Sequence, residues 1–133
     1  MKKYLNLSTF YLILGLAFGV FYREFTKMNS FEGVTVLDGI HSHILILGFI
    51  FFLVILLLEK SFKISSVKSF NKWLIFYNVS FIYMIISLTI RGIMQVNGSD
   101  FAGLSHIAGL SHVMLGGALI WFIVIANKAL RSE

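Results

Sequence analysis

The 133-residue chain contains no cysteine and no proline, and only 13% of its residues are charged. Without cysteine it forms no disulfide, no thiolate metal site and no thioether-linked haem. A soluble domain is normally about a quarter charged, so this chain cannot cover its surface with polar groups. Glycine-rich phosphate loops, the Gly-x-Ser-x-Gly element and the His-Glu-x-x-His box are also absent. These absences exclude a soluble fold and identify no enzyme class.

Apolar residues make up 58% of the chain, and its mean hydropathy is +0.88. They gather into four runs at about 4–22, 41–58, 73–91 and 106–126. Each run approaches the ~20 residues that cross a bilayer as a helix. Backbone amides in lipid must form hydrogen bonds within their own segment, which makes these runs helices. The sequence therefore predicts an all-α, single membrane domain over 1–133: a bundle of four transmembrane helices.

The cations are distributed unevenly between the two sides of this predicted bundle. Three (Arg23, Lys27 and Arg91) fall on one side, and eight fall on the other. The positive-inside rule then places both termini in the cytoplasm and the chain in the cell membrane as a multi-pass protein. The net charge of +5 reflects this topology and contact with a lipid bilayer, and it does not indicate nucleic-acid binding.

The two halves of the chain carry a partial repeat. A shift of 69 residues places Ser42-His43 on Ser111-His112 and Gly48 on Gly117. If the repeat is real, the bundle consists of two helical hairpins that point the same way through the membrane. His43 and His112 then lie at equal depth on the second and fourth helices.

The chain has four histidines, all predicted near the outer face: His41, His43, His106 and His112. His41 and His43 are two residues apart, about 200° around a helix, so they cannot both face the bundle axis. Side chains on facing helices commonly hold cofactors in bundles, and imidazole is a frequent axial ligand of haem iron. We therefore predict a b-type haem held by His43 and His112, with His41 and His106 at the rim of the site.

Other residues fit the same prediction. A porphyrin needs space beside its ligands, and Gly48, Gly116 and Gly117 remove side chains about one turn deeper. The haem propionates need cations, and Arg23 and Arg91 lie at the outer interface, where arginine pairs well with carboxylates. Both features also have simpler explanations, because glycines allow close helix packing and arginines extend to lipid headgroups.

The segment His41-Ser42-His43-Ile44-Leu45-Ile46-Leu47-Gly48 resembles a pattern, His-x-His-Leu-x-x-Leu-Gly, of haem-copper oxidase subunit I relatives and NnrS-type membrane proteins. This local resemblance implies haem or copper ligation at His43. Oxygen reduction and proton pumping are not implied, because the oxidase core has twelve helices and a His-Tyr pair that this chain lacks. The whole chain resembles an uncharacterised family of small bacterial four-helix membrane proteins, which implies no established activity.

Three functional hypotheses follow. A haem with both axial positions filled favours electron transfer, with a quinone or a redox protein as partner, whereas an open position favours sensing of haem or a diatomic gas. The second hypothesis is a non-haem copper or zinc protein that uses all four histidines. The third is a cofactor-free structural subunit. The sequence leaves homo-oligomer formation open.

Overall fold

A computed structural model of the protein describes residues 1–131, and in that range the chain is helical and contains no strand. Helix α1 spans Lys2–Met28, α2 spans Leu37–Phe62, α3 spans Phe70–Val96 and α4 spans Ala102–Leu130. A single 3-10 turn, Ile64–Ser66, lies between α2 and α3. The predicted all-α fold with four helices is confirmed.

All four helices are long and apolar enough to cross a membrane. Their 26 to 29 residues correspond to about 40 Å, whereas the hydrocarbon core of a bilayer measures about 30 Å. Each helix therefore continues beyond the run predicted from hydropathy; the first run, 4–22, becomes Lys2–Met28. Hydropathy marks the most apolar part of a helix, and the added segments mix polar and apolar residues that keep the helical backbone.

The alternating helices give the bundle two unlike ends. We call one the cationic end, because it carries both described chain termini, the 63–69 connection and eight exposed cations. The other is the histidine end, formed by the connections at 29–36 and 97–101. The exposed cations are Lys2, Lys3, Lys60, Lys63, Lys68, Lys72, Lys128 and Arg131. That the cationic end faces the cytoplasm stays a prediction.

The connection at the cationic end is stabilised locally. Helix α2 ends at Phe62, and the next residue, Lys63, adopts a left-handed conformation with φ of 47°. The carboxylate of Glu59 accepts hydrogen bonds from the backbone N–H of Ser65 at 2.9 Å and from its hydroxyl at 2.6 Å. These bonds hold the turn that carries the chain from α2 into α3.

Helix α3 is the central helix of the bundle. Half of its most apolar stretch is buried, compared with 22 to 28% in the other three helices. Its polar side chains also reach each neighbour: Asn78 accepts the hydroxyl of Tyr11 from α1, and Trp73 donates to the carbonyl of Ala118 in α4. The hydroxyl of Tyr77 donates to a carbonyl of α2, that of Leu47. α3 thus fixes the positions of the helices that carry the histidines.

Helices α1 and α2 pack closely through glycine. A Cβ atom added to Gly48 would lie 2.5 Å from Cβ of Tyr11, and one added to Gly15 would lie 2.8 Å from a methyl carbon of Leu45. No side chain fits at these contacts, so both glycines allow α1 and α2 to approach closely. For Gly48 the structure shows a helix contact with α1 in the place where we predicted space for a cofactor.

Candidate functional site

Helix α2 departs from α-helical geometry directly after His43. Residues Ile44–Ile50 form a π-helical segment, a wider turn that is rare and often occurs at functional sites. Two carbonyls of this segment accept hydrogen bonds from neighbouring helices. The hydroxyl of Tyr77 donates to Leu47 at 2.6 Å, and that of Ser8 donates to Phe49 at 2.9 Å. The wide turn is therefore held from both α3 and α1.

His43 of α2 and His112 of α4 face each other at the histidine end. Their ring centroids are 6.2 Å apart, and the ring planes are perpendicular. His43 is half-buried and His112 is exposed. The structure thus brings together the two histidines that the sequence singles out as a pair.

Both histidines make the same hydrogen bond with their own helix. Nδ1 of His43 lies 2.7 Å from the carbonyl oxygen of Gly39, and Nδ1 of His112 lies 2.9 Å from that of Ala108. Because a carbonyl only accepts, Nδ1 carries the hydrogen in each ring. Nε2 of the neutral ring then keeps its lone pair. Metal-binding histidines are typically oriented by such a bond from the other ring nitrogen.

A cavity of about 520 Å³ opens beside the histidine pair, within the size range of small-molecule and cofactor sites. Its lining is supplied by α2, α3, α4 and the connection before α2. The lining residues are Val34, Thr35, Val36, Asp38, Gly39, His43, Leu88, Arg91, Gln95, Ser105, Ala108, Gly109 and His112. A second cavity of about 240 Å³ adjoins His43 and is lined by Ser42, His43, Ile46 and Leu47.

The polar residues of the larger cavity form a network at the histidine end. Nε of Arg91 lies 3.4 Å from a carboxylate oxygen of Asp100, which also accepts a bond from Gln95 at 3.1 Å. The amide oxygen of Gln95 accepts the backbone N–H of Val36 at 2.8 Å. This network ties the end of α3 to both connections of the histidine end. It engages Arg91 through Nε, and Arg91 also lines the cavity.

Comparison with known protein families finds a match over almost the whole chain. A family model described as a protein of unknown function (DUF2871) matches residues 1–129. The chain belongs to the DUF2871 family. This confirms the resemblance to an uncharacterised family, while the local resemblance to haem-copper and NnrS-type proteins stays a prediction. No curated protein and no solved structure matches the chain.

The other two histidines of this DUF2871 chain lie outside the cavity. His41 packs beside Gly19 of α1, where an added Cβ would lie 3.8 Å from the histidine Cβ, and His106 is exposed. Nδ1 of His41 is buried and has no hydrogen-bond partner among residues 1–131. In the same range, no three residues among His, Cys, Asp and Glu are grouped so that they could hold a metal ion together.

The two arginines predicted to bind the propionates lie in different surroundings. Arg91 lines the cavity, and its side chain is 26% exposed. The side chain of Arg23 is 80% exposed and lies 3.8 Å from Glu24, outside the cavity lining. Of the two, only Arg91 is placed to reach a ligand beside the histidines.

Three glycines of α4 leave open space beside that helix. A Cβ added to Gly109, Gly116 or Gly117 meets no atom within 4 Å, so all three face open space. Gly109 lines the cavity and was missed by the sequence analysis. Its position three residues before His112 is the signal that could have found it, because residues three apart share a helix face. Gln95 and Thr35 offered no comparable signal, since contacts between distant segments bring them to the cavity.

Proposed function

We propose that this DUF2871 protein is a membrane electron carrier that binds b-type haem between α2 and α4. His43 and His112 are the axial ligands of this proposal. The observation that carries it is the separation of the two rings, 6.2 Å, combined with the orientation of each ring by a carbonyl of its own helix.

The ring separation suits one metal ion bound from two sides. A metal–nitrogen distance of about 2 Å on each side places the centres of two opposed imidazoles about 6 Å apart. Because Nδ1 of each ring is already bonded, Nε2 is the nitrogen that is free to bind iron.

The donor set favours haem over a non-haem metal. Structural and catalytic zinc sites use three or four protein ligands, and the described residues bring only His43 and His112 together. A haem supplies four equatorial nitrogens of its own and needs only axial ligands from the protein. The four-histidine copper or zinc hypothesis would require His41 and His106 to leave their observed positions.

The cavity supplies the other contacts that a haem needs. Arg91 is positioned to pair with a propionate through its terminal nitrogens, a charge-assisted bond suited to the guanidinium fork. Gly109 leaves space on the cavity side of His112. The apolar residues Val34, Val36 and Leu88 line the same space. The cavity thus combines an apolar wall with a cation near the membrane surface.

Two axial histidines favour electron transfer over gas binding. With both axial positions filled, no position is open for a diatomic ligand, and the haem serves as a one-electron carrier. If the cationic end lies in the cytoplasm, this haem lies in the outer half of the cell membrane. Its partners would then be a quinone or a redox protein that reaches that side.

An absorption spectrum of the detergent-purified protein tests the proposal. We expect a Soret band and sharp bands after reduction, which His43→Ala and His112→Ala each abolish. His41→Ala and His106→Ala are the matched controls and should keep the spectrum. A colourless protein with stoichiometric copper or zinc would support the non-haem hypothesis. A metal-free protein that takes up no added haem would support the structural one.

A further inference from the structure

We infer that Tyr77 is a positioning residue for His43 and that it acts through the π-helical segment of α2. This inference deepens the proposed function, because it concerns how one of the two ligands is held. It rests on contacts within the protein itself.

Tyr77 is placed to control this segment. Its side chain is fully buried, and its hydroxyl donates to the carbonyl of Leu47 at 2.6 Å. Leu47 lies four residues after His43, inside the segment Ile44–Ile50, and both residues line the smaller cavity. The bond therefore joins the central helix directly to the turn that follows the histidine.

The tyrosine ring is itself held rigidly. Its centroid lies 4.9 Å from that of Phe51, 5.4 Å from Trp73 and 6.0 Å from Phe81. The hydroxyl therefore has a defined position in the core, and the Leu47 carbonyl accepts its hydrogen bond there.

A π-helical segment needs such support. Its i→i+5 bonds are less favourable than α-helical ones, so an isolated helix returns to the α form. A π turn contains about one residue more than an α turn. Its conversion to the α form would therefore rotate one end of the helix relative to the other by about 100° and shift it by about 1.5 Å. On α2 this change would turn His43 away from His112. The Tyr77 hydroxyl opposes it by stabilising the carbonyl in the π-helical position, with Ser8 giving a second bond at Phe49.

Cross-linking tests this inference without any cofactor, since the chain has no cysteine of its own. The double variant His43→Cys/His112→Cys should react quickly with a short bifunctional thiol reagent, giving an intramolecular link detected by mass spectrometry. Adding Tyr77→Phe should slow this reaction several-fold. Tyr11→Phe is the matched control, because Tyr11 is equally buried and touches Gly48 but donates to Asn78. An unchanged rate in the Tyr77→Phe background would overturn the inference.

The haem-loaded protein gives a second readout. Tyr77→Phe should convert a low-spin spectrum to a partly high-spin one, because His43 leaves the iron while His112 remains, and Tyr11→Phe should not. A low-spin spectrum unchanged by Tyr77→Phe would also overturn the inference. If the wild-type protein binds no haem, the proposed function fails and the cross-linking rates still decide the role of Tyr77. If Tyr77→Phe does not fold, Ser8→Ala decides, with a smaller slowing expected and an unchanged rate contradicting it.

Discussion

The two ends of the α2–α4 interface are packed in opposite ways. Toward the cationic end, Phe122 of α4 lies 5.1 Å from Phe51 of α2 and 4.8 Å from Trp73, measured between ring centroids. At the histidine end, the same two helices meet through His43 and His112 beside a cavity of about 520 Å³. Bulky aromatic rings close one end, and the other is left open with polar groups around it. The closed end belongs to the apolar core, and the open end is where we propose that the cofactor binds.

The glycines likewise fall into a tightly packed group and a group beside open space. Gly15 and Gly48 lie where α1 and α2 touch, and neither has room for a methyl group. Gly109, Gly116 and Gly117 on α4 have open space beside them. The first group allows close packing of α1 and α2, whereas the second leaves open space beside α4. The two groups should therefore respond differently to substitution.

The largest effect is expected from filling the open end. Gly109→Leu should reduce haem affinity by more than tenfold, because the new side chain would occupy the cavity beside His112. Folding should be little affected, since nothing lies within 4 Å of the added Cβ. Haem titration followed at the Soret band measures the effect. Gly117→Leu is the control; it also faces open space but does not line the cavity. An equal loss in both variants would contradict this assignment of the cavity.

The second largest effect on haem affinity is expected from the charge of Arg91. Arg91→Gln removes the cation proposed to bind a propionate, and a hydrogen bond to a charged group contributes about 1.5–3 kcal/mol. We expect haem affinity to fall at least tenfold. Arg23→Gln should change it less than twofold, because Arg23 lies outside the cavity. Equal affinities for the two variants would show that Arg91 does not anchor the ligand.

A third prediction concerns the packed glycines. Gly48→Ala should lower the free energy of unfolding by about 1–3 kcal/mol, because its methyl group would overlap Tyr11. Gly116→Ala should leave stability unchanged or raise it by up to about 1 kcal/mol, since alanine favours a helix more than glycine does. Unfolding by sodium dodecyl sulfate in mixed micelles compares the two. Destabilisation of similar size in both would contradict the division of the glycines.

Much of the fold was predictable, because membrane helices are identified by long apolar runs. The four helices follow from composition, while their true ends do not, since polar residues such as Lys2 and Lys128 extend the helices without adding hydropathy. The pairing of His43 with His112 was also predictable, because both begin the apolar part of a helix after serine. The two histidines occupy equivalent positions in their apolar runs, and their rings face each other in the structure.

The rest of the site depends on contacts that a single sequence does not reveal. Gly48 and Gly116 look alike in the sequence, yet only the position of Tyr11 separates a packed glycine from an open one. The π-helical segment was not predictable either, because the side-chain hydrogen bonds that hold its carbonyls come from Ser8 and Tyr77 on other helices. Side-chain surroundings, more than residue types, distinguish these positions.

Electron paramagnetic resonance of the oxidised, haem-loaded protein tests the central claim most directly. His43 and His112 face each other at a ring separation of 6.2 Å, so both would bind one iron. The account predicts a low-spin ferric signal, which His43→Ala and His112→Ala each remove. A high-spin signal from the wild-type protein, or a low-spin signal that survives both substitutions, would contradict ligation by this pair.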